Sequence, residues 1–143
     1  MRPPNPPPFG SRSFGPAWVA LCIALAVHVA DEAAHDFLAL YNPTAQALRA
    51  HVPWLALPVF SFQVWLAGLA VAVLALLALS PLAFRRSRIM RPVAWAFAAL
   101  MTANALGHVG ASLYLRRLAP GVLSSPLLLA ASGYLLARLR NTA

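Results

Sequence analysis

Charge is what this sequence has least of. Only 10% of its 143 residues are charged, against about 25% in a soluble domain, so the chain cannot cover a water-facing surface. Lysine is absent, and arginine supplies all 11 basic residues. With abundant Ala and Leu, that composition points to a GC-rich bacterial genome. One cysteine, Cys22, excludes an intrachain disulfide and leaves the redox compartment open. It falls in an apolar run and reads as a packing residue. Four histidines are too few for a histidine-rich di-iron membrane oxidase. Three acids are too few for a carboxylate-bridged di-iron bundle, which needs two E-x-x-H motifs and two further Glu.

What is present is apolar: 61% of residues are hydrophobic. A membrane-spanning helix takes about 20 of them, so the length predicts an all-α, polytopic transmembrane four-helix bundle with no separate soluble domain. Residues 1–15, rich in Pro, read as a disordered tail that is not a cleaved signal. Residues 16–141 read as the helical membrane domain. The expected spans are 16–41, 59–82, 92–115 and 122–139, with a short interfacial helix over 45–51. Trp18, Trp54, Trp65 and Trp95 fall near span ends and read as interfacial anchors.

The net charge of +8 does not imply nucleic acid. The arginines sit at the ends of apolar runs (Arg85, Arg86, Arg88 and Arg91; Arg116 and Arg117; Arg138 and Arg140), where they set topology and meet anionic headgroups. With the N-terminus inside, the inner loops and termini carry Arg2, Arg12, the four of the second loop, Arg138 and Arg140. Arg49, Arg116 and Arg117 are left outside. The positive-inside rule then places both termini in the cytoplasm of a bacterial inner membrane protein. Its expected partners are the bilayer, a lipid or other apolar substrate, and a second copy in a homodimer.

All three acids fall in or beside the first span, as Asp31, Glu32 and Asp36, with His28 and His35 among them. A carboxylate at a helix centre costs about 2.5–3.5 kcal/mol on an insertion scale, against about 0.3–0.6 gained per Leu or Val. Such residues face a bundle interior and mark function. With about 100° per residue and His28 at zero, Glu32 lies near +40°, His35 near −20° and Asp31 near −60°. Asp36, near +80°, is at the edge of this stripe. In the third span Asn104 and His108 share a face. His35 precedes Tyr41 by six residues and His108 precedes Tyr114 by six, so the two histidines are expected at one depth. Gln63 enters near that level, and Gly107 and Gly110 would let a neighbouring helix approach.

At these residues the sequence resembles the HXXEE-domain family of small membrane proteins. His28-Val29-Ala30-Asp31-Glu32, Asn104-Ala105-Leu106-Gly107-His108, Tyr114 and Pro120-Gly121 carry the resemblance, in order along most of the chain. It departs from the pattern at Asp31, where the family has Glu. The resemblance implies a site without supplying a reaction.

Histidine with carboxylate suits zinc or another first-row divalent metal. The expected ligands are His28, Glu32, His35 and His108, with Asp31 as the alternative carboxylate. A carboxylate left over, Asp31 or Glu32, would serve as general base, with Asn104 as a further catalytic group and Tyr114 and Gln63 against the substrate. The leading expectation is a metal-dependent membrane enzyme, a hydrolase or isomerase, acting on a lipid. A metal-independent acid/base isomerase, a proton or cation carrier, and a structural membrane protein remain alternatives.

Overall fold

The computed structural model describes residues 14–85 and 87–141. The proposed disordered tail lies outside them up to residue 13. Phe14 and Gly15 are already buried in the helical body.

Among the described residues the regular structure is all helical, without strands. Helix α1 is Gly15–Ala34, α2 Phe37–His51, α3 Phe62–Ala78, α4 Ser80–Phe84, α5 Met90–Leu115 and α6 Ser125–Arg140. Pro16 sits in the first turn of α1, where its missing N–H costs nothing. Ser61 caps α3, its hydroxyl accepting from Val64 N–H. Helices α3 and α4 run on across Leu79 as one apolar stretch, Phe62–Phe84.

Three described helical stretches are long and apolar enough to cross a membrane: Gly15–Ala34, Phe62–Phe84 and Met90–Leu115. The expected fourth span is shorter. Helix α6 has 16 residues, about 24 Å against a hydrocarbon core of about 30 Å. The shortfall arises at its start, where Pro120 to Ser124 form a turn that reaches inward to α1 instead of lengthening α6.

The first span also ends earlier than expected. Asp36 adopts left-handed backbone, φ 52° and ψ 54°, which breaks the helix after Ala34. The chain resumes as α2, longer than the interfacial helix anticipated and containing Pro43. Tyr41 therefore does not continue the axis of α1. Its hydroxyl donates to the Pro58 carbonyl at 3.0 Å.

Helix α1 packs on α6, α3 and α4, while α5 packs chiefly on α6. Trp18, Leu21 and Cys22 of α1, Ala94 and Ala98 of α5, and Leu128 and Leu135 of α6 form the core. Trp18 is thus a core residue, not an interfacial anchor. It lies 5.2 Å from the Phe97 ring, and its indole N–H donates to the Leu76 carbonyl at 3.0 Å. That carbonyl also accepts from Leu79 N–H, so Trp18→Phe leaves it partnered. The lost hydrogen bond accounts for about 0.6 kcal/mol, the average between helices in membranes, and the cavity left by the smaller ring at this fully buried position brings the expected cost to about 1.5–3 kcal/mol. Chemical unfolding in detergent measures it, and a loss under about 0.5 kcal/mol would mean that the indole is not part of the core packing.

Candidate metal centre

The site is assembled from three places in the chain. Helix α1 supplies His28, Asp31 and Glu32, α5 supplies Asn104 and His108, and the turn before α6 supplies Gly121 and Ser124. His28 is fully buried, and Glu32 and His108 nearly so. Glu32 Oε1 lies 3.0 Å from His108 Nε2 and 3.7 Å from His28 Nε2. One donor atom from each of the three residues falls within 4.8 Å of the others, so the group could hold a metal ion. Zinc bound at about 2.0–2.1 Å in tetrahedral geometry would set its donors about 3.3 Å apart. The two Glu32 distances bracket that figure.

The surrounding bonds fix the state of His28. The Ser124 hydroxyl lies 2.7 Å from Asp31 Oδ2 and 3.2 Å from the Gly121 carbonyl. Its single proton goes to the closer, charged acceptor. Ser124 Oγ must then accept from His28 Nδ1, 2.8 Å away. His28 Nε2 is left with its lone pair toward the centre, where the Asn104 amide donates at 3.0 Å. A histidine whose far nitrogen is held through a hydrogen-bonded carboxylate is the usual support of a metal ligand.

The turn is brought to the centre by serines. Ser112 Oγ accepts from Ala119 N–H at 2.9 Å and donates to the His108 carbonyl. Ser125 Oγ donates to the Gly121 carbonyl at 2.8 Å. Gly121, with φ +82°, then lies against both rings. A Cβ there would fall 2.8 Å from His108 Cε1 and Nδ1 and 3.0 Å from His28 Cε1. The two rings meet edge to face with centroids 4.8 Å apart.

His28, Glu32, Asn104 and His108 are thus brought together as the sequence suggests. Asp31 is not in the same group. Its carboxylate accepts from Ser124 N–H and O–H through Oδ2, and Oδ1 lies 2.8 Å from His35 Nδ1. His35 does not join the centre. Its side chain is 51% exposed and folds back on Asp31. The matched tyrosine spacings misplace it because the helix breaks at Asp36, so His108 meets the turn of α1 that carries His28 and Glu32. Asp36 is exposed. Gln63 and Tyr114 are exposed too, Tyr114 by 87%, and neither lines the cavity beside the centre. A Cβ at Gly107 or Gly110 would meet nothing within 4 Å, so no helix uses them for close approach. Ser112 and the adjacent pair Ser124-Ser125 carry no metal or acid/base signature in the sequence. Ser124 follows the Pro120-Gly121 turn by a few residues, and that turn is the pointer to it.

A cavity of about 280 Å³ opens beside the centre between α1, α3 and α5. His28, Glu32 and Asn104 line it, and Leu25, Leu69 and Met101 are among its apolar walls. Asp31 and His35 line a different, more polar cleft with Arg117.

The chain matches the family described as a protein of unknown function with HXXEE motif over residues 19–135. No curated protein and no solved structure matches it.

Proposed function

The chain belongs to the HXXEE family, and from its own site we propose that it is a membrane-embedded metalloenzyme in which His28, Glu32 and His108 hold one first-row divalent metal, zinc foremost. The observation that carries this reading is the convergence of two imidazoles and one carboxylate, all buried, within 4.8 Å. Two histidines and a glutamate are the ligand set of catalytic zinc sites that keep a position open for substrate. A bound metal would supply Lewis-acid polarisation of a substrate oxygen.

The remaining residues position and shield. Ser124 and Asp31 hold His28 in the tautomer that presents Nε2. Asn104, whose amide donates to that nitrogen at 3.0 Å, would give up this bond to a metal on Nε2 and turn its amide to a polar group of the substrate. The adjoining cavity, lined by these polar groups and otherwise by apolar residues, favours a lipid or other apolar substrate.

Metal analysis of detergent-purified protein tests the proposal. About one equivalent of metal per chain is expected in wild type and a loss of most of it in His108→Ala. His35→Ala, outside the ligand group, should retain it. Metal-free wild type whose stability is indifferent to chelators would remove the reading.

The 3.0 Å contact of Glu32 with His108 favours a second one, an acid/base pair that moves a proton without metal. That mechanism predicts turnover that survives chelation and is abolished by Glu32→Gln.

A further inference from the structure

The cavity beside the centre has a neighbour. Phe37, Trp65 and Leu69 line it and also line a second cavity of about 360 Å³. The second continues between α2 and α3 along Tyr41, Val64 and Gly68. Its walls are aromatic and aliphatic. Phe37 stacks on Trp65 with centroids 5.8 Å apart and on Tyr41 at 5.6 Å. The one hydroxyl among these residues, that of Tyr41, is committed to the Pro58 carbonyl. Of the two neighbouring cavities, the first thus carries the ionisable groups, His28 and Glu32, with the amide of Asn104, whereas the second, beyond Phe37 and Trp65, carries none.

That polarity gradient specifies an amphiphile with one polar end. Helix α3 leaves most of its apolar surface outside the bundle, so the groove opens sideways toward lipid. We propose that it holds a single fatty acyl chain, with its carbonyl or carboxylate head at the His28/Glu32/His108 centre and its tail running past Phe37 and Trp65 to Gly68. The proposal rests on the metalloenzyme reading for its head site and names the substrate class of that site.

Gly68 makes the tail path testable. A Cβ built there meets nothing within 4 Å, so a larger side chain can project into the groove without displacing protein atoms.

The experiment uses the full chain in lipid nanodiscs with two photoreactive C16 fatty acids, one with its diazirine near the head and one near the tail. Cross-links are mapped by mass spectrometry and metal is measured on the same samples. The tail probe should label the Tyr41, Val64 and Gly68 region, and the head probe the Leu25 and Met101 region. Gly68→Leu and Gly68→Trp should cut tail labelling at least tenfold, while metal content, head labelling by a C6 analogue and melting temperature stay at wild-type values. Labelling spread evenly over the lipid-facing helices would overturn the proposal. So would tail labelling unmoved by both variants while metal is bound. Localised labelling in protein that binds no metal would uphold the groove and reject the metalloenzyme reading alone.

Discussion

Asp31→Ala is expected to destabilise the protein by about 3 kcal/mol. The carboxylate accepts both the backbone N–H and the hydroxyl of Ser124, at 2.9 and 2.7 Å. Hydrogen bonds to a charged group contribute about 1.5–3 kcal/mol each, and a buried donor left without a partner costs about 1–3. Two such bonds total about 3–6 kcal/mol, and because the freed hydroxyl can turn to the Gly121 carbonyl at 3.2 Å the loss falls at the low end. Asp31→Asn keeps an acceptor oxygen and should lose roughly half as much. Ser124→Ala removes the hydroxyl but not the N–H and should fall between the two. Because Asp31, Ser124 and His28 form one chain of bonds, the alanine pair should be non-additive by about 1 kcal/mol or more. Denaturant titration in detergent reads all four proteins. A loss under about 0.5 kcal/mol for Asp31→Ala, or strict additivity, would show that the link between α1 and the final turn carries no weight. Metal affinity supplies an independent readout. Loss of an outer-shell partner typically costs 10–100-fold, so Asp31→Ala should bind zinc more weakly although its own carboxylate is not among the ligands.

Gly121→Ala should disrupt the centre more selectively. With φ at +82°, the left-handed backbone alone costs an alanine about 1–2 kcal/mol. The added methyl would also press on His108 at 2.8 Å and on His28 at 3.0 Å. Those atoms belong to rings fixed by Glu32 on one side and Ser124 on the other, so neither can yield freely. The expected result is a 10–100-fold loss of metal affinity together with the backbone cost. Gly107→Ala is the control. It lies mid-helix with open space around its Cβ and should be neutral or stabilising by about 0.5–1 kcal/mol. Equal zinc titrations for Gly121→Ala and wild type would mean that the turn does not define the centre.

Much of this arrangement can be read from sequence, for physical reasons. Acids are costly in a membrane helix, so Asp31 and Glu32 had to face protein, and the 3.6-residue period put His28 with them. The i, i+4 spacing put Asn104 and His108 on one face of α5. Helical character and three stretches long enough to cross a membrane follow from apolar run length. What escapes is set by backbone conformation and by tertiary hydrogen bonds. No local pattern announces that Asp36 turns left-handed, and that one residue undoes the depth match that paired His35 with His108. The inward turn of residues 120–124, which shortens α6, is held by Ser112, Ser124 and Ser125. Ser125 bonds only locally, but Ser124 reaches Asp31 and His28 from the far end of the chain and Ser112 reaches Ala119 beyond its own helix, separations that no periodicity reports. The one departure from the family motif, Asp31, falls on the carboxylate that serves Ser124, whereas Glu32 is the one in the centre.

Drawing the centre from residues 28–32, 104–108 and 121–124 also constrains how the protein can be made. At about 5–20 residues per second, roughly ninety residues separate the appearance of Glu32 from that of Ser124, an interval on the order of 5–20 s. Throughout it the first helix carries its acids without the turn that later receives them. The centre therefore cannot close until the last helix has been made.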